Sequence, residues 1–248
     1  MSRILVLRSG GADLPAEATG SDVALLTTHE IVPVEKGIAE AVAFDARGAR
    51  LVVSSKVTVE ILGTDFLEGE FREVVAVGEE TARELKRSGV RNVVIPATPG
   101  AAGVLHLLGR SPGGLSGVRF LWPRGSDADT GPLDELSSLG ALVVAPVVYE
   151  KCIRPISSFS SGDREILSTF SSGGFGAVAV GSLAALDGFL RALGSPLPAS
   201  LPPVRWGVLG PETARGVQAR GLPPPAVPTR ARFADLIDLL RKELAGRP

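Results

Sequence analysis

Short apolar, β-branched runs recur along this chain at residues 4–7, 51–53, 74–77, 92–95, 118–122, 141–148, 177–180 and 206–209, and the stretches between them carry helix-like spacing. The runs are nearly continuously apolar rather than alternating. That pattern predicts strands covered on both faces, and the intervening helices make right-handed βαβ crossovers, and so parallel sheets, the default. Helix starts are marked around Thr81, opening residues 82–88, and at Pro99-Gly100, opening 101–108. Phe233, Leu236, Ile237, Leu240 and Leu244 lie at the spacing of one helix face. Gly89 and Gly221 are natural C-terminal stops. Loops are signalled at Ser111-Pro112-Gly113-Gly114, across 125–132, and across 194–203, the last reading as a stiff spacer.

The chain nearly repeats itself. Gly78-Glu79-Glu80-Thr81-Ala82-Arg83 returns as Gly210-Pro211-Glu212-Thr213-Ala214-Arg215, an offset of 213 − 81 = 132. Val53-Ser54-Ser55 pairs with Val180-Gly181-Ser182, and residues 3–8 pair with 119–124, at the offsets 182 − 55 = 127 and 119 − 3 = 116. Three matches in one order predict two copies of one α/β unit, too long for a solenoid repeat, and two similar lobes imply a cleft between them. Residues 27–35 and 143–154 are rich in Val, Ile and Thr and contain Pro33 and Pro146. Paired, they would form a two-stranded hinge ribbon whose prolines are tolerated at sheet edges. The expected organisation is a discontinuous first lobe (1–30 and 153–248), a second lobe (36–147), and a hinge (31–35 and 148–152).

Composition narrows the classes of partner. The chain of 248 residues is 44% hydrophobic and 21% charged, which is globular rather than disordered. Its 26 basic and 27 acidic residues give a formal charge of −1 with no basic run, so the footprint of a nucleic-acid or anionic-membrane binder is missing. Cys152 is the only cysteine, which excludes an intramolecular disulfide. The opening apolar run is too short for a signal peptide, and no run approaches the roughly 18 apolar residues of a membrane span. A soluble, cytoplasmic protein, acting as a monomer, is the expectation. His29 and His106 have no second ligand at metal spacing, and neither Gly10-Gly11 nor Gly113-Gly114 fits a dinucleotide or P-loop pattern, so neither a metal nor a nucleotide cofactor is expected.

In order along nearly the whole chain, the residues resemble the uroporphyrinogen-III synthase family. The resemblance rests on the strand 3–8 ending in Arg8, on Val52-Val53-Ser54-Ser55, on Val77-Gly78-Glu79-Glu80-Thr81-Ala82 with Gly89, and on Ile95-Pro96. It continues through Phe120-Leu121-Trp122-Pro123-Arg124-Gly125, Leu133-Asp134-Glu135-Leu136, Leu139-Gly140-Ala141, Val148-Tyr149, and Leu209-Gly210-Pro211-Glu212-Thr213-Ala214 with Gly221. It implies an α/β fold of two flavodoxin-like parallel-sheet lobes joined by a two-stranded hinge. The implied reaction is cofactor-free cyclisation of the linear tetrapyrrole hydroxymethylbilane to uroporphyrinogen III, with loss of water and inversion of the last ring. The residues the resemblance links to activity are Tyr149 and Thr213. Two departures stand out: 10–21 is short and rich in Gly and Ala where a helix is expected, and Gly181-Ser182-Leu183-Ala184 lacks one hydroxyl of the family's segment there.

Such a substrate carries many carboxylates, which a chain of charge −1 must hold by local geometry. Unpaired N–H groups at the helix starts after Ser55, Gly78, Pro99, Ser182 and Gly210 can accept carboxylate oxygens, helped by the helix dipole, at the strand ends where open α/β sheets bind ligands. The candidate substrate-binding set is therefore Arg8, Ser54, Ser55, Gly78, Thr81, Arg124, Gly181, Ser182, Gly210 and Pro211. Arg8 and Arg124 would end corresponding strands and hold a carboxylate bidentately. Against this, Ser55, Thr81, Ser182 and Thr213 are also residue types that cap helices. Tyr149, the only tyrosine, would end an apolar strand, packing its ring and presenting its hydroxyl to the leaving oxygen. The alternative is a non-catalytic two-lobed protein that closes on a small polyanionic ligand.

Overall fold

The computed structural model describes residues 3–10, 20–98, 100–110, 113–194 and 201–246. Most of the Gly- and Ala-rich stretch 10–21, Pro99, Ser111-Pro112 and the greater part of the 194–203 spacer lie outside the described residues. The chain divides into two compact units, 1–30 with 152–248, and 31–151.

The first unit is a parallel sheet of β1 (Arg3–Arg8), β2 (Val23–Thr27), β11 (Phe175–Val180) and β12 (Arg205–Val208), in the order β12-β11-β1-β2. A parallel bridge between Gly207 and Ala226 adds a fifth position beyond β12. The continuous apolarity has its physical reason here. Along β1, Leu5 and Leu7 enter one core with Phe170, Val178, Phe189 and Trp206, while Ile4 and Val6 enter another with Ala177, Ile237 and Leu240. Each fully buried Leu or Ile of this kind contributes about 1.5–3 kcal/mol. Helices α6 (Ser161–Ser171), α7 (Leu183–Ala192) and α8 (Pro211–Ala219) supply the first face, and α9 (Phe233–Ala245) the second. Arg241 of α9 is held by Asp22, with bonds of 2.8 and 2.9 Å, and this pairing keeps the Asp22 carboxyl below its ordinary value of 3.8.

The second unit repeats the arrangement. Its parallel sheet contains β4 (Arg50–Val53), β5 (Glu73–Ala76), β6 (Val93–Val94), β7 (Arg119–Leu121) and β9 (Leu142–Val144), in the order β6-β5-β4-β7-β9. Leu51 and Val53 face α2 (Lys56–Leu67) and α3 (Glu79–Arg87), while Val52, Val75 and Phe120 face α4 (Ala101–Gly109) and α5 (Gly131–Ser138). The two sheets match position for position. β11, β12 and the Ala226 bridge stand where β4, β5 and β6 stand, and β1 and β2 stand where β7 and β9 stand. Counted within each unit, the first reads 2-1-3-4-5, the flavodoxin-like order, and the second 3-2-1-4-5. The spatial arrangement is the same; the chain enters it at a different strand.

A third, small sheet is built from β3 (His29–Pro33), β10 (Val147–Ile153) and β8 (Arg124–Gly125), in the order β3-β10-β8. The division between the units falls inside β3 and inside β10, so both strands run from one unit into the other. Helix α1 (Glu35–Val42) follows β3, its Gly37 buried against the backbone of Val147 in β10.

The sequence expectations need correction at several points. The run 141–148 is not one strand: it breaks at Ala145-Pro146 into β9 and β10, which lie in different sheets, because proline cannot donate to a ladder. Pro146 accordingly sits in no strand, while Pro33 is the last residue of β3, the edge strand beside β10. β2 was not anticipated, its five residues being buried only at alternate positions. Gly89 and Gly221 follow their helices at φ of 86° and 75°, the left-handed conformation that ends a helix readily only at glycine.

Candidate functional site

In a parallel sheet every strand-to-helix turn lies at one edge, so the topology alone gathers residues distant in sequence. In the second unit, the turn after β4 carries Ser54 and Ser55, the turn after β5 carries Gly78, and the chain beyond β7 reaches Arg124. β10 brings Tyr149 to the same group, and Tyr149 lies opposite Gly125 of β8.

Tyr149 is 5% exposed, its ring packed with Ala41, Val57, Leu62 and Val148. Gly125 is required under that ring, since a Cβ there would lie 2.7 Å from ring atoms Cε2 and Cζ. The Tyr149 hydroxyl is 3.1 Å from Ser55 Oγ. Ser55 is the N-cap of α2: its Oγ accepts the Thr58 N–H at 3.3 Å and lies 3.3 Å from Thr58 Oγ1. Thr58 is fully buried. Tyr149 is the third of seven residues in β10, so it does not end its strand as the sequence suggested.

Ser54, Trp122, Arg124, Asp129 and Leu133 line a cavity of about 180 Å³. The Arg124 Nη1 donates to Gly125 O at 3.3 Å, and its Nε is buried with no hydrogen-bond partner among the described residues. Arg124 also departs from the expected symmetry. Arg8 ends β1, with its guanidinium 5.2 Å from the centre of the Phe233 ring, whereas β7 ends at Leu121 and Arg124 belongs to β8 of the small sheet. Pro123 separates the two, denying the ladder a donor at that point.

The first unit gathers Arg8, Gly181, Ser182, Gly210, Pro211 and Thr213 at the corresponding edge. Ser182 caps α7 by accepting the Ala185 N–H at 3.2 Å, and donates to Ser9 Oγ at 3.3 Å. Gly181 allows close approach, because a Cβ there would meet Phe233 Cζ at 2.8 Å and Leu7 O at 3.0 Å.

The helix starts are not equivalent. Ser55 and Ser182 already occupy an N–H with their own hydroxyls, but α3 and α8 open on Gly78 and Gly210, with no side-chain cap and nothing described within 4 Å of where a Cβ would stand. Thr81 and Thr213 are therefore not caps, as their residue type suggested; each is the third helical residue. Their surroundings differ. Thr81 is 6% exposed and follows two acidic residues, Glu79 and Glu80, whereas Thr213 is half-buried and follows Glu212 alone, with Pro211 at the first position. Fewer neighbouring carboxylates make the α8 start the better place for an anion.

Thr58 and Ser9 were missed from the sequence. For Thr58 the signal was available, a hydroxyl three residues after a serine cap at a helix start; for Ser9 there was none. Among the described residues no cluster of three or more His, Cys, Asp or Glu could hold a metal, and no helix is long and apolar enough to cross a membrane.

Comparison with known families matches residues 14–238 to the model described as uroporphyrinogen-III synthase HemD. Among solved structures, uroporphyrinogen-III synthetase from Helicobacter pylori aligns over 100% of both chains at a TM-score of 0.62 and 15% identity. A mutant uroporphyrinogen III synthase from the extremely thermophilic bacterium Thermus thermophilus also aligns over 100% of both chains, at a TM-score of 0.54 and 15% identity. At such identities these likenesses establish the fold. No curated protein sequence matches.

Proposed function

This chain belongs to the uroporphyrinogen-III synthase family, and from that premise we propose that it closes hydroxymethylbilane to uroporphyrinogen III. The observation carrying the proposal beyond family membership is the tyrosine hydroxyl held 3.1 Å from a helix-cap serine at the ligand-binding edge of a parallel sheet. In the reaction the C–O bond of the terminal hydroxymethyl group breaks and the oxygen takes a proton and leaves as water. The pyrroles spread the resulting cation, which bonds to the carbon of the last ring that already carries its methylene bridge; that older bridge bond then breaks and re-forms at the ring's free carbon, which loses its proton, so the ring ends inverted.

Each group has a task in this proposal. Tyr149 donates a hydrogen bond to the leaving oxygen, a contribution of about 10² to 10⁴ in rate for a well-placed acid or donor. Thr213 and the N–H groups of Glu212 and Thr213, with those of Glu79, Glu80 and Thr81, receive substrate carboxylates. Arg8 and Arg124, with Ser54, Ser55, Gly181 and Ser182, complete the binding surface. Most of the remaining acceleration is conformational: holding a flexible chain in one cyclising geometry can lower the barrier by roughly 7–11 kcal/mol. The proposal includes lobes of 1–30 with 153–248 and of 36–147, a hinge at 31–35 and 148–152, and a cofactor-free cytoplasmic monomer.

The test is conversion of hydroxymethylbilane by the purified chain, with isomer III separated from the isomer I that forms spontaneously. Tyr149→Phe keeps the ring packing and is expected to lower isomer III turnover by about 10- to 1000-fold with KM little changed. Isomer I alone from the wild-type protein would overturn the proposal and favour a binding protein. A Tyr149→Phe variant with wild-type rate and isomer ratio would move the donor role to Thr213 and the amides after Gly210.

A further inference from the structure

We propose that Thr58, acting through Ser55, fixes the direction of the Tyr149 hydroxyl, so that its proton points away from Ser55 and toward the bound molecule. This inference rests on the proposed function. Its basis is proton bookkeeping among three hydroxyls. The Ser55 oxygen has one proton and two lone pairs, and the Thr58 N–H occupies one lone pair at 3.3 Å. One proton and one lone pair remain for two neighbours, Thr58 Oγ1 at 3.3 Å and Tyr149 Oη at 3.1 Å.

Only two arrangements satisfy both. In the first, Thr58 donates to Ser55, Ser55 donates to Tyr149, and the Tyr149 proton is free to be donated outward. In the second, Tyr149 donates to Ser55, Ser55 donates to Thr58, and Tyr149 offers a ligand only lone pairs. Burial decides between them. Thr58 is 0% exposed, and Ser55 Oγ is the one partner described for its hydroxyl, so the second arrangement, in which Thr58 only accepts, strands a buried donor. An unmade hydrogen bond on a buried donor is the costly outcome. Tyr149, at 5% exposed, is the less enclosed of the two, and in the first arrangement its proton is the one offered to a bound substrate. The buried threonine thus turns the tyrosine into a donor. Being fully buried, Thr58 touches no substrate; it is a positioning residue.

A double-mutant cycle on isomer III turnover tests this, with melting temperature and KM measured in parallel. Thr58→Val keeps the branched shape and leaves the Ser55 cap in place. It is expected to lower kcat by about 10-fold with KM unchanged, a part of one donor's contribution of about 10² to 10⁴, and Thr58→Ser should restore the rate. In the Tyr149→Phe background Thr58→Val should have no further effect, because the group it acts through is gone. Should Thr58→Val fold poorly, Thr58→Ala enters the same cycle with the same expected loss of effect. Independent, multiplicative losses in the double variant, or wild-type kcat in Thr58→Val, would overturn the inference while leaving the proposed function intact. A wild-type protein forming no isomer III would overturn both.

Discussion

Replacing Gly37 by alanine should destabilise the protein, although the substitution removes a glycine from a helix. Gly37 lies in α1 against the backbone of β10, at Val147, two residues before Tyr149. A Cβ there would overlap the Val147 carbonyl oxygen, stand 2.6 Å from its carbon, and stand 3.3 Å from the Val148 nitrogen. Ordinary contact begins near 3.4 Å, so helix and strand must part by at least 3.4 − 2.6 = 0.8 Å. Neither side yields readily. Val147 pairs with Arg124 of β8, and the chain entering α1 is tied to β10 by a 3.0 Å bond from Val34 N to Val148 O. Two effects oppose each other. Alanine gains about 1 kcal/mol in helix propensity, while overpacking costs typically 1–3 kcal/mol and more against backbone. The clash should win by about 2 kcal/mol, lowering Tm by roughly 4–8 °C for a chain of this size. Differential scanning calorimetry of the intact chain measures this, with Gly109→Ala as the comparison, since nothing described lies within 4 Å of that exposed helical position. A Gly37→Ala protein melting at or above the wild type would refute the packing argument.

Gly125→Ala tests the same tyrosine from its other side: the ring must retreat by at least 3.4 − 2.7 = 0.7 Å, and isomer III turnover should fall by about 10-fold or more. Unchanged turnover would show that the position of the ring does not matter. Thr213→Val should lose more turnover than Thr81→Val after correction for stability, because the half-buried threonine beside one glutamate is better placed for an anion than the buried one beside two; equal losses would refute the asymmetry. Asp22 is held below its ordinary value by Arg241, so its contribution is present above an unfolded-state pKa of about 3.9 and is lost as pH falls through the depressed folded value. Asp22→Asn should therefore cost about 1 kcal/mol at neutral pH, the scale of a solvent-screened pair, and the difference from wild type should vanish in strong acid, as chemical denaturation across pH 2–7 would reveal.

The sequence by itself determined where the strands covered on both faces lie and how helices end. Residues such as Ile4, Leu5, Val6 and Leu7 are apolar at every position because helices cover both faces of their sheet, and that demand is written into composition. Gly89 and Gly221 were legible for the same local reason, a backbone conformation that excludes most other residues. Pairing was not legible. The run 141–148 shows unbroken apolarity, yet its halves serve different sheets, because apolarity reports that a strand is covered and not which neighbour it bonds. The repeats taken alone would misgroup the chain; only the segments 27–35 and 143–154 pointed to a discontinuous first lobe. Arg3 and Ser182 share one unit, Arg119 and Ser55 the other, so copies that run in parallel order along the chain are exchanged between the units. The hydrogen bond between Ser55 and Tyr149 spans 94 residues, and nothing local to Thr58 shows that its serine neighbour is shared with that tyrosine. A hydroxyl's role depends on which single oxygen stands within about 3 Å of it, and only the packed structure decides that.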